Sequence, residues 1–463
     1  MNLTPKPLLG AILVLAPLAS PVFAAGMNCA QAKTPTELAI CADADLLRQD
    51  NDLARVYGKL GEVRPDGRAA LRQEQRDWIK VRNRCGANAD CLRDQYLLRL
   101  SKLQDMLRSA TAYVPDETDR LALEDLRQAV EAARQTDAEF PLENTLASLS
   151  VKAGMTTFDN VRENADDDEA KFPKQQPMDV TQDEWAALQA SGIDAGGENG
   201  IASYTLMDLD GDGLRDLVVR SYTGGTGLFS DISALRRIGN RYGGPATPDA
   251  AAGLYTLNDR GSNQDGTWIR LRGRTYAAYR NSSYGVDDIY LLRPFHSQGD
   301  LPTLTVQYRY QLSVPKQQKR ADQNTVRTLD DALHAALTQA LTQVDAESTR
   351  EPAASDQPGV PARPLCPIPA SATADERDSY YQYGPGHYSY EIVADVAVTV
   401  DAHCRIGQVI DWFGSYDRNA GLSAMMMLRA PDAGGREDEF MIQGKRRAVR
   451  VEASVGPIEI NHN

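Results

Sequence analysis

Six cysteines constrain this chain more than any other feature. Cys29, Cys41, Cys85 and Cys91 fall close together, and Cys366 and Cys404 follow far downstream. An even number is what a disulfide set requires, provided the chain reaches an oxidising compartment. The opening stretch "MNLTPKPLLGAILVLAPLASPVFAAG" supplies that condition: Lys6 leads, an apolar run extends from Leu8 to Leu18, and Ala24 and Ala25 follow. This is the order of a secretory signal over residues 1–24, with an apolar run too short and too interrupted by proline to span a bilayer. The predicted location is therefore periplasmic or secreted, with two bridges in an N-terminal module and one in a C-terminal module. Zinc is the competing use of these cysteines, but no pair has C-x₂₋₄-C spacing and no histidine lies near the first four.

At 463 residues the chain is expected to divide into two to four domains. Its formal net charge of −14 argues against a nucleic-acid partner and favours cations or basic proteins. No stretch beyond the signal approaches ~18 uninterrupted apolar residues, so no membrane span is expected.

The N-terminal module reads as helices. Thr34, Pro35 and Glu37 are a cap, a first-turn proline and a capping-box partner, and Leu46, Leu53, Tyr57 and Leu60 then form one stripe along a helix of about 25 residues. The turn "VRPDG" at 63–67 leads to a second helix with Leu71, Gln75, Trp78 and Arg82 on one face. A third starts near Cys91, with Tyr96, Leu100 and Leu103. The prediction is an antiparallel bundle over residues 25–112. In such a hairpin the start of the first helix lies beside the end of the second, which favours Cys41 with Cys85 and Cys29 with Cys91. Local pairing, Cys29 with Cys41 and Cys85 with Cys91, stays open. Trp78 and Tyr57 read as core, and Arg82 with Asp50 as an inter-helix ion pair of the scaffold.

The order Cys29, "TELAIC" ending in Cys41, "LLRQDNDLARVY", "QRDWIKVRNRC" ending in Cys85 and "CLRDQYLLRLSKL" resembles the LprI-like domain, a family of exported bacterial modules named after a lysozyme inhibitor. The likeness covers residues 27–107. It implies an envelope or surface location and lysozyme inhibition, with a c-type lysozyme or another envelope protein as partner. Residues 25–112 carry 15 Lys and Arg against 12 Asp and Glu, whereas residues 113–463 carry 34 against 52. Long-range attraction of a basic lysozyme would therefore come from the remainder of the chain.

Residues 117–134 read as one more amphipathic helix, followed by an acidic, proline-containing stretch at 160–177. Together they make a region of helix plus linker over 113–195. From about 198 the pattern changes to short alternating runs, "ASYTLMDL", "RDLVVRSY", "TWIRLRGRTYAAYRN", "DDIYLLRPF" and "LTVQYRY", closed by a helix at 329–344. This predicts a β-rich domain over 196–345. A Pro/Ala/Ser linker follows at 346–365, and a second β-rich domain at 366–463 is stapled by Cys366 and Cys404. The predicted fold class is thus α+β and multidomain, a disulfide-bonded helical bundle followed by mostly antiparallel β-rich domains.

Between the first two predicted strands, "LMDLDGDGLRDLVV" places Asp208, Asp210, Asp212 and Asp216 at positions 1, 3, 5 and 9. Val219 stands where an EF-hand needs its bidentate glutamate. The segment resembles instead the DxDxDG calcium loop of FG-GAP repeats, in a single copy, which implies a structural Ca²⁺ held by these four carboxylates. An Asp/Gly turn without metal is the alternative. The Gly-rich run at 222–230 lacks a P-loop's lysine and reads as a loop.

His296, His334, His387, His403 and His462 are scattered singly, and neither H-E-x-x-H nor G-x-S-x-G occurs. The chain is therefore expected to be non-catalytic, and the resemblance to the LprI-like domain implies an exported binding protein and lysozyme inhibitor. The alternative is a cell-envelope interaction protein with a calcium-stabilised β domain.

Overall fold

The computed structural model describes residues 26–162, 164, 168–193, 197–243, 253–259, 263–296, 299–319, 326–347, 363–381, 391–431 and 437–457. The expected signal, most of the 346–365 linker, Asp166, Asp167, His387 and His462 lie outside the described residues. The chain forms two compact units, residues 1–111 and residues 112–463.

The first unit contains α1 (Pro35–Ala42), α2 (Ala44–Val63), α3 (Arg68–Asn83) and α4 (Ala89–Thr111). Thr34 and Glu37 complete the anticipated capping box. The single long helix expected from Thr34 is instead two. Asp43 leaves helical geometry, with φ −112° and ψ 114°, and its carboxylate accepts from the Asp45 and Leu46 N–H groups, so it caps a new helix. Ile40, Leu46, Leu53, Val56, Leu60, Leu92, Tyr96, Leu103 and Leu107 form the core.

The break at Asp43 also decides the disulfides. Cys29 pairs with Cys41 and Cys85 with Cys91, each with Cα atoms 5.6 Å apart, and the favoured long-range pairing is corrected. It is Thr36, at the start of α1, that meets the end of α3, through a hydrogen bond to the Asn83 carbonyl. Cys41, at the far end of α1, closes back on Cys29, while Cys85 and Cys91 flank the turn at Gly86 between α3 and α4. The third bridge, Cys366 with Cys404, forms as expected.

The second unit opens with α5 (Glu117–Thr136) and α6 (Pro141–Leu149). Its first sheet contains β1 (Thr156–Asp159), β2 (Ala202–Met207), β3 (Asp216–Gly224), β4 (Phe229–Ile238), β5 (Arg241–Gly243) and β6 (Tyr255–Asn258), with α7 (Gln182–Ser191) between β1 and β2. The order is β1-β2-β3-β4-β5, with β6 also on β4. The region expected as helix plus linker thus supplies an edge strand and two further helices.

A second sheet of eight antiparallel strands contains β7 (Gln264–Leu271), β8 (Arg274–Ser283), β9 (Val286–Leu292) and β10 (Asp300–Ser313). After a small hairpin of β11 (Gln317–Lys319) and β12 (Val326–Thr328), and helix α8 (Asp331–Glu347), come β13 (Glu391–Val400), β14 (His403–Asp417), β15 (Gly421–Arg429) and β16 (Glu437–Pro457). The order is β13-β14-β15-β16-β10-β9-β8-β7.

The C-terminal segment is therefore not a sheet of its own, which corrects the division into separate β domains. Strand β10 meets β9 on one edge, and β16 runs along the other from Asp300↔Pro457 to Ser313↔Gln443. A long edge left bare would expose a ladder of unpaired N–H and C=O groups, and β16 is what satisfies it. Helices α5, α6 and α8 cover one face, over Leu126, Val130, Leu142, Leu337, Leu304, Val306, Met426 and Phe440. On the other face, β7–β9 pack through Trp268, Tyr279 and Tyr290 against Tyr255 and Leu257 of β6.

Candidate functional site

In the helical unit, the polar residues at the core are spent on scaffold. The Tyr96 hydroxyl donates to Asp50 at 2.6 Å and accepts from Arg82 at 2.9 Å, so the anticipated Arg82–Asp50 pair forms at 3.7 Å with a phenol bridging it. Burial, with the Asp50 carboxylate beside it, pushes the Tyr96 hydroxyl well above its ordinary range. Trp78 lies edge-on to Tyr96 and donates to the Gln95 carbonyl. These contacts lock α2, α3 and α4 together.

What the unit turns outward is different. Arg68, Arg72, Arg76, Lys80 and Arg84 recur at every fourth position and are all exposed, a cationic row along α3 with ~6 Å of rise per step. Lys80 pairs with Asp77, whereas Arg72 and Arg84 make no ion pair among the described residues. Like charges four apart each cost a few tenths of a kcal/mol, so folding does not explain the row. On α4, Leu97 and Leu98 are 56 % and 69 % exposed, two large apolar side chains with no core role.

In the second unit, the aspartate loop joins β2 to β3. Asp208 accepts from the Gly211 and Gly213 N–H groups at 2.7 and 3.2 Å, and both glycines sit at positive φ, where a side chain would be strained. Asp216, at the base, is wholly buried and accepts from Leu209 N–H at 3.0 Å and from Arg237 N–H at 2.8 Å. Burial pushes its carboxyl up to about 6; the two N–H donors oppose the rise, and Asp210 and Asp212 add to it. Oxygens of Asp208, Asp210 and Asp216 lie within 4.8 Å of one another. Asp212 does not join them, because its carboxylate turns to the Leu214 N–H at 2.7 Å. Of the four carboxylates expected from the spacing, the structure brings three together.

Sequence reasoning missed Arg236. Strand β4 brings its guanidinium to 3.1 Å from Asp210, stacked over Phe295 at 4.7 Å. The crowded acids are therefore met by backbone N–H groups and one arginine. The Gly-rich run is the β3–β4 connection rather than a phosphate cradle, and a Cβ on Gly224 would lie 1.5 Å from the Glu198 carboxylate. Of the described histidines, His296 and His334 each place a ring nitrogen against a backbone carbonyl, and His403 is exposed.

Residues 27–140 match the family model described as lysozyme inhibitor LprI. The match spans the helical unit and continues through α5. No curated protein and no solved structure matches the chain.

Proposed function

We propose that the protein is an exported, non-catalytic binding protein whose helical unit inhibits a lysozyme-type hydrolase. The family match over residues 27–140 supports this reading, and the observation that carries it is the exposed cationic row on α3. A hydrolase of glycosidic bonds holds two carboxyl groups at its scissile bond, so its cleft is locally anionic even where its surface is basic. A row of arginines and lysines along a rigid helix complements such a groove. Leu97 and Leu98 supply the apolar anchors that a binding surface needs at its centre. The remainder of the chain, with 52 Asp and Glu against 34 Lys and Arg over residues 113–463, supplies long-range attraction for a basic enzyme. Reversing Arg76 and Lys80 to glutamate in the full chain should reduce inhibition of cell-wall lysis at least ~10-fold, the change that ~1.4 kcal/mol produces. Unchanged inhibition would remove α3 from the contact.

The same reading gives the β2–β3 loop a Ca²⁺ ion held by Asp208, Asp210 and Asp216. The three converging carboxylates fit a hard cation, which would displace Arg236 from Asp210 and offset the charge that burial disfavours on Asp216. Calcium should then raise the unfolding temperature of the wild type and leave that of Asp208→Asn unchanged. An identical temperature for the wild type in calcium and in chelator would contradict a metal role.

A further inference from the structure

Strand β16 alternates strictly. Ile442, Gly444, Arg446 and Ala448 are buried, and Met441, Gln443, Lys445 and Arg447 face outward. The register sets Arg447 directly opposite Arg309 of β10, and Lys445 beside them opposite Gln311. Directly opposed side chains have Cβ atoms ~5 Å apart, and alternate residues along a strand are ~6.7 Å apart. Three cations therefore share one small triangle. All three are exposed, and none has an acidic partner among the described residues. Opposed like charges weaken a strand pair, so the sheet bears a cost here that its own fold does not offset.

The surroundings say what kind of ligand fits. The packing of the first sheet on this face reaches β7–β9 and Leu301 at the start of β10, and Ser379 lies against Arg429 at the end of β15; between them, among the described residues, Arg309 and Gln311 of β10 and Gln443, Lys445 and Arg447 of β16 stay exposed. Farther along β16 on the same face, past Gln443, Met441 lies opposite Met425 with the exposed Glu439 one step beyond it, and Met441 and Val449 are each more than a third exposed. The patch interrupts a unit that is otherwise strongly acidic. At physiological salt, charges more than about 8 Å away are largely screened, so the local cations and not the net charge govern a contact made here.

We propose that this exposed face of β10 and β16 is a docking surface for a phosphate-bearing lipid bilayer. Arg309, Lys445 and Arg447 take headgroup phosphates, and Met441, farther along the same strand, reaches the apolar boundary at the edge of the contact. Among the described residues the face has no walls to strip water from a small soluble anion, whereas a bilayer offers many phosphates at once with an apolar layer behind them. This goes beyond lysozyme inhibition and uses a different unit of the chain.

The test is co-sedimentation of the full, oxidised protein with vesicles of phosphatidylcholine alone or mixed with phosphatidylglycerol, at low and high salt, with soluble polyphosphate as a separate arm. The wild type should sediment with the phosphatidylglycerol vesicles only, and less at high salt. The variant Arg309→Gln/Lys445→Gln/Arg447→Gln should lose roughly 100-fold in partitioning. It should unfold no earlier than wild type, since it removes repulsion. Met441→Glu should weaken sedimentation without altering any cation. Wild type that stays in solution with both vesicles, or a triple variant that sediments like wild type, would overturn the proposal. Capture by polyphosphate without sedimentation on vesicles would overturn the lipid assignment in favour of a soluble polyanion.

Discussion

Asp216 shows how much a single residue can set. Its spacing from Asp208 and Asp210 was legible because all three fall within nine residues, and the turn glycines between them marked the bend. What spacing could not reveal was where the carboxylate oxygens go. One reaches Leu209 and the other Arg237, some twenty residues away on β4, a partner that only strand pairing brings near. The same pairing delivers Arg236 to Asp210. A pH dependence follows. With its folded-state value raised to about 6, Asp216 keeps its proton while an unfolded chain, at about 3.9, has released it. Stability should therefore be fully present below about pH 4 and fall as pH rises to about 6, by roughly 2–3 kcal/mol. Chemical denaturation of wild type and Asp216→Asn in chelator measures this. The variant should lack that fall, and equal slopes would show that burial does not hold the proton.

At the scale of elements, the helices of the first unit were legible wherever a cap announced them. Thr34, Pro35 and Glu37 predicted the start of α1, but Asp43 sits inside an unbroken apolar pattern and its capping role depends on a backbone that turns. The disulfide pairing was misread for that reason. Helices α6 and α7 carried signals that went unused, Pro141 at a first turn and Thr181 with Glu184 as a capping box. Strand β16 falls in the region expected to be β-rich, but its place beside β10 was not legible, because more than a hundred residues separate the partners. Its Arg446 is the clamp of that pairing. It is almost wholly buried, reaches Glu143 of α6 at 2.5 Å and Asp287 of β9 at 3.5 Å, and lies 4.1 Å over the Tyr308 ring. Arg446→Ala should cost ~3 kcal/mol in denaturant unfolding, because it leaves the buried Asp287 carboxylate without its cation, while Glu143 keeps Arg280. A loss below ~1 kcal/mol would mean that water replaces the guanidinium.

For the molecule as a whole, the α+β class and the split between a helical start and a sheet-rich remainder were readable from the change of period near residue 198. Linker composition suggested that the C-terminal segment stands apart, but composition carries no information about which strand edges need covering, and the second sheet needs β16. Charge is also divided by region. The helical unit is slightly basic and bears its row on α3, and the acidic surplus belongs to the rest. On the proposed reading, a basic enzyme should associate faster at low salt, while inhibition through α3 and the exposed leucines should persist at physiological salt. The most direct test is titration of the purified, oxidised protein into a c-type lysozyme while cell-wall lysis is followed at physiological salt. Inhibition that saturates near one protein per enzyme is the predicted result; full lysis at every ratio would contradict the inhibitor reading.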